Sequence, residues 1–235
     1  MKLKNYIHLD KVINKYIVVI FSFIFKSKKK IIRKDSNIEN ILIIKFLGIG
    51  SISRSLGMIN HLQNLYPESK ISFLTFKENE SFMKIIKPLD DYYLIDKSNI
   101  IFLIIDFFKT LILFKKKNCL VIDLEVHSYF AKLFCFFINS KSKLGFYLKE
   151  KISFYDNLFY FDNKIFIEEN YYKILYHLKD KNYQKVNILS LLKLNESELS
   201  LEQKLKRIGI NKNEKFFFIN INTSDLCEER KWDID

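Results

Sequence analysis

The chain has 235 residues, room for one large domain or two small ones at roughly 100–200 residues each. Apolar residues make up 49% and charged residues 28%, with 5 Gly and 2 Pro, which excludes disordered, collagen-like and Pro-rich chains. The formal net charge of +12 rests almost wholly on lysine, because the arginines are only Arg33, Arg54, Arg207 and Arg230.

Scattered arginines and aromatics confined to apolar runs give no nucleic-acid footprint, and no nucleic-acid partner is expected. The positive balance reads instead as a lysine bias with solvated charge. Cys119, Cys135 and Cys227 form no C-x-x-C pair. That is neither a disulfide framework nor a zinc knuckle, and it suits a reducing, cytoplasmic compartment.

Residues 1–39 differ from the rest. The uncharged run Tyr16–Phe25 is followed by Lys26, Lys28, Lys29 and Lys30, then Arg33 and Lys34. It is shorter than the ~20 apolar residues of a spanning helix. Two readings are open: an interfacial helix meeting anionic lipid, or a helix packed on the body of the protein.

From residue 40, short apolar runs alternate with helical stretches. The pattern predicts strands at Ile41–Phe46, Ile71–Phe76, Tyr92–Ile95, Leu120–Asp123 and Lys143–Phe146. Between them it predicts helices over Ser51–Leu65, Asn79–Ile86, Ile100–Phe114 and His127–Ile138. This alternation implies an α/β fold, a parallel sheet with helices on both faces. Residues 147–167 read as loop and short strands, Glu168–Leu178 as a helix, and Leu199–Ile208 as a helix capped at Gly209. Phe216–Ile221 is a buried-strand signal, followed by Asn222-Thr-Ser-Asp225.

Three segments carry a resemblance. The first is Ile41-Leu-Ile-Ile-Lys-Phe-Leu-Gly-Ile-Gly-Ser-Ile52 with Leu62-Gln-Asn-Leu-Tyr-Pro67, a strand, glycine loop and helix ending in Tyr-Pro. The second is Val121-Ile-Asp-Leu-Glu125 and, beyond its helix, Lys143-Leu-Gly-Phe146. The third is Asn220-Ile-Asn-Thr-Ser-Asp225 with Glu229-Arg-Lys-Trp232. In this order and spacing they resemble glycosyltransferase family 9, the heptosyltransferase-like enzymes of bacterial envelope polysaccharide synthesis.

The resemblance implies a GT-B-type fold, two facing Rossmann-like domains. Residues 40–200 would be the acceptor domain and 201–235 the beginning of the nucleotide-sugar domain, incomplete. It implies transfer of a sugar from a nucleotide-sugar donor to a lipopolysaccharide-type or other envelope glycan or glycolipid acceptor. The place would be the cytoplasm, peripheral on the inner membrane face, with neither cofactor nor metal. A non-catalytic remnant, or the acceptor-binding half of a split transferase, is the alternative, and a basic nucleic-acid-binding protein a remote one.

Site expectations follow. Gly48 and Gly50 would let a ligand approach the backbone at a helix start near Ile52, with Arg54 beside this acceptor loop. Ser51 stands where the family usually carries an aspartate base, and a hydroxyl is no unaided base near neutral pH. Asp123 and Glu125 are therefore the candidate bases. Strand alternation puts them on one face with Leu124 on the other, and helix capping is their competing role. On the donor side, Asn222, Thr223 and Ser224 would bond a diphosphate, with Arg230 and Lys231 neutralising charge on the leaving group.

Overall fold

A computed structural model describes residues 6, 8, 10–25, 38–114, 118–149, 151–178 and 186–193, and beyond these 203, 205–207, 209 and 210. The chain divides into two compact units, Met1–Lys193 and Leu194–Asp235. The first holds a six-stranded sheet in which every pairing is parallel.

Its strands are β1 (Asn40–Ile44), β2 (Lys70–Phe76), β3 (Asp91–Ile95), β4 (Cys119–Asp123), β5 (Ser142–Tyr147) and β6 (Asn157–Tyr160). The helices are α1 (Lys15–Ile24), α2 (Ile49–Leu65), the single turn α3 (Glu80–Met83), α4 (Ile100–Phe114), α5 (Tyr129–Phe137) and α6 (Ile167–His177). A π turn over Asp10–Asn14 leads into α1. The spatial order is β3-β2-β1-β4-β5-β6, the doubly wound Rossmann order.

β1 and β4 are buried at all five positions, which is why both read as unbroken apolar runs rather than alternating ones. Alternate residues feed two cores. Ile41 and Ile43 of β1, with Leu120 and Ile122 of β4, join Leu56, Ile59 and Leu62 of α2 and Ile174 and Leu175 of α6. On the opposite face Leu42, Ile44, Cys119 and Val121 meet Leu103 and Phe107 of α4, Phe134 of α5 and Val18 of α1.

Sequence and structure agree on most elements, and the departures have physical causes. α2 starts at Ile49, so Gly50 lies in its first turn rather than before it, and Ser51 is its third residue rather than its first. The predicted helix over residues 79–86 shrinks to a 3-10 turn at Lys77–Asn79 and the four residues of α3. Ile86 instead forms an antiparallel bridge with Leu192. Lys143-Leu-Gly-Phe146 lies inside β5, and β6 extends the sheet beyond it in parallel.

The N-terminal residues pack on the body. Asp10 accepts hydrogen bonds from the backbone N–H of Tyr129 (3.0 Å) and Phe130 (2.5 Å), capping α5 from 119 residues away. Ser128 Oγ accepts from Ala131 N–H at 3.3 Å and completes that cap. Tyr6 is buried, its ring edge-on to Phe76 at 5.0 Å. α1 stacks Phe21 on Phe136 at 4.4 Å, yet its outer side stays apolar and exposed, Phe23 at 80%.

In the second unit, Gly209 has φ 76° and donates to Lys206 O, while Ile210 N–H donates to Leu205 O. This is the Schellman closure that the predicted glycine cap required. The predicted strand Phe216–Ile221 lies outside the described residues.

Candidate functional site

In an open parallel sheet, ligands bind beyond the carboxyl ends of the strands where the winding reverses. Here that point lies between β1 and β4, paired from Asn40↔Cys119 to Ile44↔Asp123. Two segments meet there, residues 45–48 after β1 and residues 124–128 after β4.

Glu125 ties them together. It is 3% exposed, accepts from the backbone N–H of Phe46 (2.7 Å) and Leu47 (2.9 Å) through Oε1, and pairs with Lys45 Nζ at 3.1 Å through Oε2. Its carboxylate is thus committed to holding the turn that leads into α2. Asp123 is 1% exposed, accepting from Glu125 N–H at 2.9 Å and from Tyr155 Oη at 2.5 Å. Burial raises its pKa to about 6 against the pull of Lys132 and the Tyr155 hydrogen bond. The two acids do share a face: Leu124 belongs to the opposite core.

Tyr155 reaches Asp123 because Gly145 makes room. A Cβ on Gly145 would sit 2.7 Å from the Tyr155 ring. Burial pushes the Tyr155 hydroxyl well above its usual range, with Asp123 adding to the rise, so it remains a donor.

The glycine loop is specific in geometry. Gly48 has φ 83° and ψ 97°, a conformation strained for any residue with a Cβ. Its carbonyl accepts from Ser51 and Ile52 N–H at 2.9 and 3.0 Å, which starts α2. Gly50 faces open space, with no atom within 4 Å of a Cβ built there. Ser51 is half-buried in the same turn. Arg54 points to α6, 3.9 Å from Glu168 Oε2, and stays largely exposed.

A cavity of about 450 Å³ opens past the ends of β4 and β5. Its walls combine Lys11 and Lys15 from the N-terminal segment, His127 and Lys132 after β4, and Tyr147 and Lys149 after β5. Lys132 Nζ bonds the carbonyls of Glu125, Val126 and Ser128 at 3.3–3.5 Å, so its charge shapes the loop as well as the cavity. His127 is exposed, and its pKa is lowered by partial burial first and then by Lys132. A neutral imidazole among lysines can accept a proton, and the lysines can hold an anion.

The structure thus ties Glu125 to the backbone just before Gly48, with Asp123 bonded to the Glu125 N–H. Gly50 and Ser51 sit in the first turn of α2, and Arg54 lies on the α2–α6 side. Asn222, Thr223, Ser224, Arg230 and Lys231 lie outside the described residues. The pattern predicts His127 as the first residue of a helix, whereas α5 starts at Tyr129 and leaves His127 in the loop before it. Its place just past a strand end at the reversal point was the available signal. No group of three or more His, Cys, Asp or Glu among the described residues is placed to hold a metal ion.

A solved structure described as a glycosyl transferase family 9 protein from Veillonella parvula matches at a TM-score of 0.61 and 15% identity, over 75% of this chain and 51% of that one. The fold is shared with that family 9 glycosyltransferase. It is an α/β, Rossmann-like domain of GT-B type. Escherichia coli heptosyltransferase WaaC with ADP matches at 0.49 and 16% identity, over 63% of this chain and 49% of that one. Escherichia coli ADP-heptose lps heptosyltransferase II gives 0.49 and 14%, over 74% and 51%. This chain spans about half the length of each of these structures. No protein-family model and no curated protein matches the sequence.

Proposed function

We propose that this chain carries the acceptor side of an inverting, family 9-like glycosyltransferase. It would move a sugar from a nucleotide-sugar donor to a lipopolysaccharide-type or other anionic envelope glycolipid at the cytoplasmic membrane face. The observation that carries the acceptor assignment is the cavity that joins Lys11, Lys15 and Lys149 to His127 beside the β1–β4 reversal. Phosphate or carboxylate groups on a glycan suit such a lysine-lined recess, since the low-dielectric wall strengthens each attraction.

Chemistry at the reacting centre needs a base for the acceptor hydroxyl, generally worth ~10²–10⁴-fold. Asp123 and Glu125 both have their oxygens engaged in the protein interior. In this reading they position the turn and leave the proton to His127, the group with both access and a neutral form at pH 7. The Ser51 hydroxyl and the N–H groups of Ile49 and Gly50 contact the acceptor, because the opening amides of a helix lack an intrahelical partner. Asn222, Thr223, Ser224, Arg230 and Lys231 keep the roles implied by the resemblance, diphosphate binding and stabilisation of the departing nucleotide.

The test has two arms. Calorimetry with a phosphorylated disaccharide and its neutral counterpart reads the cavity: binding should favour the phosphorylated sugar and weaken at least tenfold in Lys15→Glu or Lys149→Glu. Mass spectrometry of envelope glycolipids incubated with the protein and a panel of nucleotide sugars reads transfer as a gain of one glycosyl unit. No preference for the phosphorylated sugar overturns the acceptor assignment. Activity that survives His127→Asn but vanishes in a folded Asp123→Asn protein returns the base to Asp123.

A further inference from the structure

Helix α4 exposes more apolar surface than water-facing helices do. Ile101, Ile104, Ile105, Phe108, Ile112 and Leu113 all stand in solvent, Ile112 at 71%. The charged residues within α4 are Asp106 and Lys109 alone, and Asp106 is occupied, accepting from Asp96 N–H at 2.9 Å. A helix whose outer face is this apolar is covered by something. At 15 residues it is about 22 Å long, short of the ~30 Å hydrocarbon core. No helix among the described residues is long and apolar enough to cross a membrane.

The patch does not stop at α4. Phe137, at the end of α5, is 52% exposed and touches both neighbours, Phe107 of α4 at 6.2 Å and Phe21 of α1 at 5.8 Å between ring centroids. Beyond it α1 presents Ile20, Phe23 and Ile24 to solvent. Three helices thus share one continuous apolar face. Patches of this extent mark an interaction surface.

Charge identifies the occupant. Lys109 lies within the face, Lys15 opens α1, and Lys11 stands in the turn before it. In the sequence, α4 runs directly into Lys115, Lys116 and Lys117, and α1 into Lys26, Lys28, Lys29 and Lys30. An apolar helix followed at once by a lysine cluster therefore occurs twice. That pairing complements an anionic lipid surface, whereas a second copy of the chain would set lysines against lysines.

We propose that α1, Phe137 and α4 form a single membrane-docking face that seats this protein on an anionic bilayer. Their rings and branched side chains enter the headgroup boundary, and the lysines meet lipid phosphates. The choice of a bilayer deepens, and in part rests on, the glycolipid-acceptor reading. Lys15 belongs both to α1 and to the cavity wall, so docking α1 carries the cavity rim toward headgroup level.

Co-sedimentation of the full chain with vesicles of phosphatidylcholine, with and without phosphatidylglycerol, tests the face. Binding should be about tenfold or more tighter on the anionic vesicles and fall with salt. The exposed double substitution Ile105→Glu with Phe108→Glu should lower it by about tenfold while thermal melting stays unchanged. Phe108→Trp in a Trp232→Phe background should shift its emission to the blue on vesicles. No binding to anionic vesicles overturns the proposal. So does undiminished binding by the α4 variant, or a dimer that the variant dissolves in the absence of any lipid affinity. These vesicles contain no glycan, so a failed sugar-transfer assay leaves the docking face standing, and failed docking leaves the transferase reading standing.

Discussion

Lys45 and Glu125 form a 3.1 Å ion pair, both nearly sealed from solvent, across the point where the sheet reverses its winding. The pair has a job besides attraction. Through the same carboxylate the loop after β1 is fastened by its backbone to the loop after β4. A buried pair of this kind is not evidence of net stabilisation, but removing one partner leaves an uncompensated charge.

Glu125→Ala should therefore cost about 3–5 kcal/mol. Glu125→Gln should cost less, since the amide oxygen can still accept from Phe46 or Leu47 N–H. Urea denaturation midpoints of the two variants check the order. Equal midpoints would mean that the backbone bonds contribute nothing.

Asp123 makes stability depend on pH. Its folded pKa of about 6 lies above the ordinary 3.8, so the native state holds a proton that the unfolded chain has released. The contribution is full below the unfolded value and is lost as pH rises through the folded one. Between pH ~4 and ~6 its part of the unfolding free energy should fall, by on the order of 3 kcal/mol. Melting of the parent and of Asp123→Asn across this window should show the slope flattened in the variant.

Gly145→Ala should force the Tyr155 ring away from β5, because a Cβ there stands 2.7 Å from it. Overpacking of this type costs about 1–3 kcal/mol. The displaced hydroxyl would also leave Asp123 short of a donor. A Tyr155→Phe variant carrying Gly145→Ala separates the two effects, since only the steric one then remains.

Gly48→Ala should destabilise by about 1–3 kcal/mol through backbone strain, given its φ of 83°. Gly50→Ala, facing open space, should leave melting within about 0.5 kcal/mol or raise it through helix propensity. If Gly50→Ala still weakens acceptor binding, the open side of that residue is the ligand's approach.

Transfer should decline as pH falls through the His127 pKa, which lies below the ordinary 6.5 because of burial and the adjoining lysines. The rate profile of kcat/KM reads it. A Lys132→Met variant should move the acid limb upward, since Lys132 is the leading charge that depresses the imidazole.

Helix α4 was legible residue for residue because nothing competed locally: Asn99 Oδ1 accepts from Ile101 N–H at 2.9 Å and sets its start, and lysines follow its end. The strands of the sheet centre were equally plain, being apolar on both faces. β6 was legible only as one of the short strands expected within residues 147–167, since Asn157–Tyr160 is a four-residue edge whose place no alternation fixes. The predicted helix after Asn79 yielded to a distant partner, Leu192, which no local window contains.

The candidate site was legible in part. Glycine spacing marked the turn after β1, and the acids marked the end of β4. What the sequence could not display is that Glu125 spends its carboxylate on backbone N–H groups, which leave no trace in side-chain identity. Nor could it assemble the cavity, whose lysines come from positions 11, 15, 132 and 149.

The cap that Asp10 places on α5 has a temporal side. During synthesis at ~5–20 residues per second, the amide groups of Tyr129 and Phe130 follow Asp10 by roughly 6–24 seconds, a gap set by their 119-residue separation. Throughout that interval Tyr6 and α1 are nascent chain without the core they will close.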